Sequence, residues 1–216
     1  MSLNLNKLPK GGGGGPKQPV IEVGTYPARL VRVIDLGLQA QQPYQGQEKP
    51  PAHMVDFTYE LLDVFMVDKD GNEDEDKPRW ISENFAIHNP AADLAKSTKR
   101  VKALDPNNDH NFNLVDLVGA TCMITIVHKE YKGNTYANVG GVTTMRAKDA
   151  EKAPELKNKP VTFTLDDPDM EVFNSFPEWL QDKIKSNLEF NGSKLHKALG
   201  GSVKESSAES QDNEEW

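Results

Sequence analysis

The chain has 216 residues, 37% of them apolar, with one cysteine, five histidines and a net charge of −8. That is enough for one substantial domain with flexible ends, and no stretch approaches the roughly 20 apolar residues of a membrane helix. The opening MSLNLNKLPK lacks the apolar core of a signal peptide, and the single Cys122 cannot form an internal disulfide, so a protein of a reducing cytoplasm is expected.

The charge is unevenly distributed. Gly201 to Trp216 sums to −4 and Asp63 to Lys77 to −5; taking both from the total of −8 leaves the remainder at +1. The acidity therefore belongs to two excursions from a neutral to slightly basic body, and it does not exclude a polyanionic partner.

Residues 1–20 carry five successive glycines (Gly11 to Gly15) with Lys7, Lys10 and Lys17, which predicts a flexible basic arm. Ala28 to Ile34, ARLVRVI, follows a turn signal and predicts the first strand. His53 to Val64 alternates, with Val55, Phe57, Tyr59 and Leu61 on a core face and Asp56, Thr58 and Glu60 on the other. An acidic loop around Asp70-Gly71 leads to a third strand, RWISENFAIH, in which Ile81, Phe85 and Ile87 oppose Trp80, Ser82, Asn84 and His88. Pro90 to Leu104 has helical periodicity: Ala91, Leu94, Ala95, Val101 and Leu104 supply an apolar side, and Lys96, Lys99, Arg100 and Lys102 a basic one.

Ala120 to Met145 predicts a hairpin turning at Gly133-Asn134. Beyond it, residues 148–200 predict a helical extension packed on the preceding domain, with Trp179, Leu180, Ile184 and Leu188 as an apolar stripe. Residues 201–216 predict a disordered acidic tail. The mainly β body over 21–147, five strands with a helix between the third and fourth, is the arrangement of an OB-fold, a Greek-key barrel.

That fold hosts many activities, so the residues on its surface must carry the function. Trp80 and His88 share the outward side of the third strand. Tyr131 and Tyr136 flank the last hairpin with Lys129 and Lys132. Arg29, Arg32 and Arg79 punctuate the strands, Lys99, Arg100 and Lys102 the helix, and Tyr44 the glutamine-rich loop. Aromatic rings interleaved with cations suit a single nucleic-acid strand, because bases stack on rings while phosphates pair with Lys and Arg.

Enzymatic patterns are weak. The histidines lack metal-ligand spacing, no GxxxxGK[ST] loop is present, and Asp166, Asp167 and Asp169 have no partner carboxylates or lysine to complete a nuclease pattern. No catalytic residue, metal or cofactor is expected.

The tail ESSAESQDNEEW resembles the C-terminal tails of bacterial and bacteriophage single-stranded DNA-binding proteins, which end in acids followed by an aromatic. Asp212, Glu214, Glu215 and Trp216 match, although phenylalanine is the usual last residue. The body, through GTYPARLVRVIDLGLQ, RWISENFAIH and GATCMITIVHKEYKGNTYANVGGV, is similar to phage proteins of that class with an OB-fold. The resemblance spans about Gly24 to Met145 and the last dozen residues. It implies a non-catalytic protein of the host cell cytoplasm that coats single-stranded DNA during replication, recombination or repair; whether the chain self-associates on DNA is left open. It also implies a tail that competes for the DNA groove and docks replication or recombination proteins. Two alternatives stay open: a strand-annealing recombinase or duplex-binding architectural protein, and an acidic DNA mimic that inhibits a host enzyme.

Overall fold

The computed structural model describes residues 18–43 and 45–201. Six strands dominate: β1 (Gly24–Gln39), β2 (Ala52–Val67), β3 (Glu73–Ala86), β4 (Thr121–Tyr131), β5 (Asn134–Thr144) and the short β6 (Val161–Phe163). The helices are brief: α1 (Lys96–Leu104) between β3 and β4, then α2 (Ala147–Ala150), α3 (Met170–Ser175), α4 (Glu178–Lys185) and α5 (Lys194–Ala198). The strands form one sheet in the order β3-β2-β1-β4-β5, with β6 added beside β1. β1 meets β4 antiparallel, from Gly24 opposite Ile126 to Arg29 opposite Thr121, whereas β6 runs parallel to β1. The protein is thus mainly β, with one strand more than expected; β3 and β5 are the two ends of the sheet path.

The chain falls into two compact units that interleave along the sequence. Among the described residues, one is built from 18–31, Thr58–Glu83 and Arg100–Pro160, the other from 32–43, 45–57, Asn84–Lys99 and 161–201.

In the first unit the core follows strand periodicity. Cys122, Ile124 and Ile126 of β4 are buried together with Leu30, Tyr59, Leu61, Ile81 and Leu117. The alternation also predicts a solvated polar side for β2, and here the structure differs: Asp56, Thr58 and Glu60 are buried at 5%, 0% and 1% exposure. Each has an acceptor or donor at hand, as a buried polar group requires. In this unit Thr58 shares a 2.8 Å hydroxyl bond with Ser82, and Glu60 accepts from residues 157 and 158.

In the second unit Asp56 faces Arg32 across 3.6 Å. Its core gathers Ile34 and Leu36 of β1 with Phe163, Phe173, Phe176, Leu180, Ile184 and Leu195. Phe163 and Phe176 meet edge to face at 5.5 Å between centroids, a favourable arrangement for two aromatic quadrupoles. Of the predicted apolar stripe only Leu180 and Ile184, one helical turn apart, point inward; Trp179 is 63% exposed, lying about 100° around α4 from Leu180, and Leu188 lies beyond the helix end at 55%. Asp169, in the acidic loop before α3, caps that helix by accepting from the Glu171 and Val172 amides.

The first helix is shorter than predicted. Asn89 accepts the Ala91 amide at 2.9 Å and turns follow to Ala95, so α1 begins at Lys96 and Leu94 is left 87% exposed outside it.

Candidate nucleic-acid interface

The β4–β5 hairpin builds one candidate surface entirely from local geometry. Its two central turn residues are Lys132 and Gly133, both with positive φ (50° and 76°), flanked by the Tyr131–Asn134 pair; the turn sits one residue earlier than Gly133-Asn134. Two positive-φ residues match the right-handed twist of the arms, and glycine adopts the second without strain. Lys129 stands directly opposite Tyr136. Directly opposed residues and residues two apart share a face, so Lys129, Tyr131, Asn134 and Tyr136 all project from the same side. Glu130 and Thr135 take the other.

Residues 128–136 are all exposed, with Tyr131 at 62% and Tyr136 at 49%. The Lys132 ammonium lies 5.2 Å from the Tyr131 ring centroid, within cation–π range. Further down, the register shifts between Thr125 and Ile126, leaving Gly140 as the extra residue of a bulge. A side chain there would meet Val127 Cγ1 at 2.7 Å, so only glycine fits. A bulge bends and twists the hairpin that carries the tyrosines.

Trp80 supplies a second surface. It projects from the side of β3 that alternation predicts and remains 41% exposed. Its indole Nε1 donates to Glu60 Oε2 at 3.3 Å, which fixes the ring edge. The indole borders a cleft of about 470 Å³ whose walls include Met66, Lys77, Arg79, Gln18 and Asn158. Arg79 Nη1 donates to the Pro19 carbonyl at 3.0 Å, and partial burial lowers the guanidinium from its ordinary pKa. The cleft also contains Asp76, which pairs with Lys157 at 2.9 Å, so its charge is mixed rather than uniformly positive.

Three expected cations are placed differently. Arg29 donates to the carbonyls of Gly119, Ala153 and Pro154 at 2.7 to 3.1 Å, its side chain only 13% exposed. Arg32 is 16% exposed beside Asp56. Arg100 is buried: its Nε donates to Glu83 Oε1 at 2.6 Å and its Nη2 to Oε2 at 3.1 Å, with the Tyr59 hydroxyl on Oε1 at 3.0 Å. Glu83 shares the inward side of β3 with Ile81 and Phe85, and a buried carboxylate demands a cation. Burial, then the Glu83 charge, hold the Tyr59 phenol well above its usual pKa; burial likewise pushes the Cys122 thiol up.

Lys129, Lys132, Lys99 and Lys102 are exposed, the last two on α1. His88 is exposed just past β3, its amide donating to Ser97 Oγ at 3.1 Å. Tyr44 and the tail residues Asp212, Glu214, Glu215 and Trp216 lie outside the described residues, as does the arm through Lys17.

The structure therefore brings Lys129, Tyr131, Lys132 and Tyr136 together at the hairpin and gives Trp80 its own cleft; the two surfaces share no residue. The contact of Glu60 with Trp80, Lys157 and Asn158 is not legible in the sequence, since strand alternation assigns Glu60 to solvent and nothing local places residues 157 and 158 beside it. Among the described residues no group of three or more His, Cys, Asp or Glu side chains is placed to hold a metal ion, and no helix is long and apolar enough to cross a membrane. Compared with known proteins, the chain matches no protein-family model and no curated sequence.

Proposed function

We propose that this is a non-catalytic single-stranded DNA-binding protein of OB-fold type, coating phage DNA with little sequence preference during replication, recombination or repair. The observation that carries the proposal is the hairpin face on which exposed Tyr131 and Tyr136 bracket Lys129, with Lys132 at the tip. Rings stack bases of any identity, and the lysines meet the phosphates between them. The sheet order supports the barrel assignment in part: β1 lies between β2 and β4, the helix falls between β3 and β4, and joining β3 to β5 would close it. Trp80 is a further stacking platform. Lys99, Lys102 and His88 extend the polar surface, whereas Arg29, Arg32 and Arg100 serve the fold. The acidic tail ending in Trp216 docks replication partners and competes with DNA for the cationic surface.

The test is a salt series of titrations, with single-stranded and duplex oligonucleotides, on the full chain and on a chain lacking residues 201–216. Single-strand affinity that falls steeply with salt and rises on tail removal is expected. Equal or tighter duplex binding, or rapid strand annealing, indicates the architectural or annealing alternative. A tail-free body with no oligonucleotide affinity refutes the proposal and favours the DNA-mimic reading.

A further inference from the structure

Glu60 is the least exposed acid of the described chain, at 1%. All the hydrogen bonds described to its carboxylate come from uncharged N–H groups. Oε1 accepts the Lys157 amide at 2.7 Å; Oε2 accepts the Asn158 amide at 3.2 Å, the Asn158 side-chain Nδ2 at 2.6 Å and the Trp80 indole Nε1 at 3.3 Å. An ionised carboxylate is acceptor-only, so every group around it must turn a donor inward. That fixes the edge of Trp80 pointing at Glu60. It also fixes the Asn158 amide, with Nδ2 on Glu60 and Oδ1 directed away.

The segment from Ala153 to Asn158 is held at two points by opposite charges. The Arg29 guanidinium takes the carbonyls of Ala153 and Pro154, and the Glu60 carboxylate takes the amides of Lys157 and Asn158. A strap needing only attachment is served by backbone or hydroxyl partners, without burying a charge. The additional bond to the indole ties this anchor to the exposed ring at the cleft, which Asn158 also lines.

We infer that Glu60 is a positioning residue for nucleic-acid binding: it locks the Trp80 indole and the Lys157–Asn158 strap so that the cleft beside them is a preformed slot for one base of a single DNA strand. The inference rests on the single-strand reading above and deepens it. The slot is walled by Trp80, whose ring offers a stacking surface, by the apolar Met66 and by Asn158, held from behind by Glu60. Its volume of about 470 Å³ falls within the usual span of small-molecule sites. Fixing one rotamer-rich side chain before binding is worth roughly two- to tenfold in affinity.

The experiment is a mutant cycle on the full chain, read by anisotropy of dye-labelled oligothymidine across a salt series and by thermal melts. Glu60→Gln should weaken binding about two- to tenfold without changing the salt slope, because no phosphate-binding cation is removed. Trp80→Ala should weaken it about five- to hundredfold, and adding Glu60→Gln to that variant should cost less than it does in the wild-type background, because only the strap is then left to position. Trp80→Phe keeps a stacking ring but has no N–H for Glu60, and Asn158→Ala removes one strap bond; both should lose about two- to tenfold and stand in for Glu60→Gln if it fails to fold. Wild-type affinity in Glu60→Gln with only a lower melting temperature, or an equal loss in the Trp80→Ala background, overturns the inference and leaves Glu60 a strap anchor. If Glu60→Gln fails to fold, wild-type affinity in both substitutes does the same. Should the wild-type chain bind no oligothymidine at any salt, the single-strand reading itself falls, and the inference with it.

Discussion

Alanine replacement of Tyr131 and Tyr136, singly and together, perturbs the hairpin surface where it is most separable from the fold. The rings are 62% and 49% exposed, and residues 128–136 belong to no buried cluster. Removing either ring therefore costs cross-strand packing worth about 0.2 to 1 kcal/mol of stability. If each ring stacks one base, each single variant loses about 1 to 3 kcal/mol of binding, and the pair about 2 to 6 kcal/mol at most. Register places the two rings diagonally across the strands, roughly 7 Å apart by general sheet geometry, close enough that their effects sum only approximately. Anisotropy with labelled oligothymidine at fixed low salt measures the first quantity, and circular-dichroism melts the second. Glu130→Ala is the control, because Glu130 projects from the opposite face and should leave affinity unchanged or slightly improved. A double variant that binds like the wild type, or whose loss of affinity tracks a comparable loss of stability, would refute the stacking role.

Charge and burial yield the remaining predictions. Replacing Lys129 and Lys132 together by alanine should lower the slope of log affinity against log salt by about 0.7 for each phosphate that is no longer neutralised; a slope equal to the wild type's removes the lysines from the interface. Burial raises both the Cys122 thiol and the Tyr59 phenol, so the folded chain keeps protons that the unfolded chain releases, from about pH 8.5 for the thiol and about pH 10 for the phenol. Stability should be fully present below about pH 8.5, then fall by about 1.4 kcal/mol per pH unit, and about twice as steeply above pH 10. Urea unfolding across that range checks it: Cys122→Ala should abolish the decline between 8.5 and 10, and an unaltered slope in that variant refutes the assignment. Arg100→Met strands the Glu83 carboxylate and should cost about 3 to 5 kcal/mol, with Glu83→Gln in the same chain recovering part of it; a loss below about 1 kcal/mol would show that water reaches the pair.

Much of the chain is legible in its sequence where the deciding physics is local. Side chains in a strand alternate by backbone geometry alone, so the pattern of RWISENFAIH suffices to turn Trp80 outward and Ile81 and Phe85 inward. A Lys-Gly step between two alternating runs likewise suffices to make a hairpin and to put Lys129, Tyr131 and Tyr136 on one side of it. The turn falls one residue before the expected Gly133-Asn134 because two overlapping turn signals, Lys-Gly and Gly-Asn, share Gly133 in KGNT, and positive φ at Lys132 is decided by strand twist.

What the sequence leaves open is the partner of each charge. Arg29, Arg32 and Arg100 have the same local appearance as a phosphate-binding arginine. Only the folded chain sets them against the carbonyls of residues 119, 153 and 154, against Asp56 and against Glu83. Glu60 lies 97 and 98 positions before the amides that hold it, and no periodicity encodes so distant an encounter. Hydrophobic alternation is written residue by residue. The neutralisation of a buried charge is settled only when remote segments meet, which is why the tertiary structure alone converts Glu60 from a solvated acid into the anchor of Trp80.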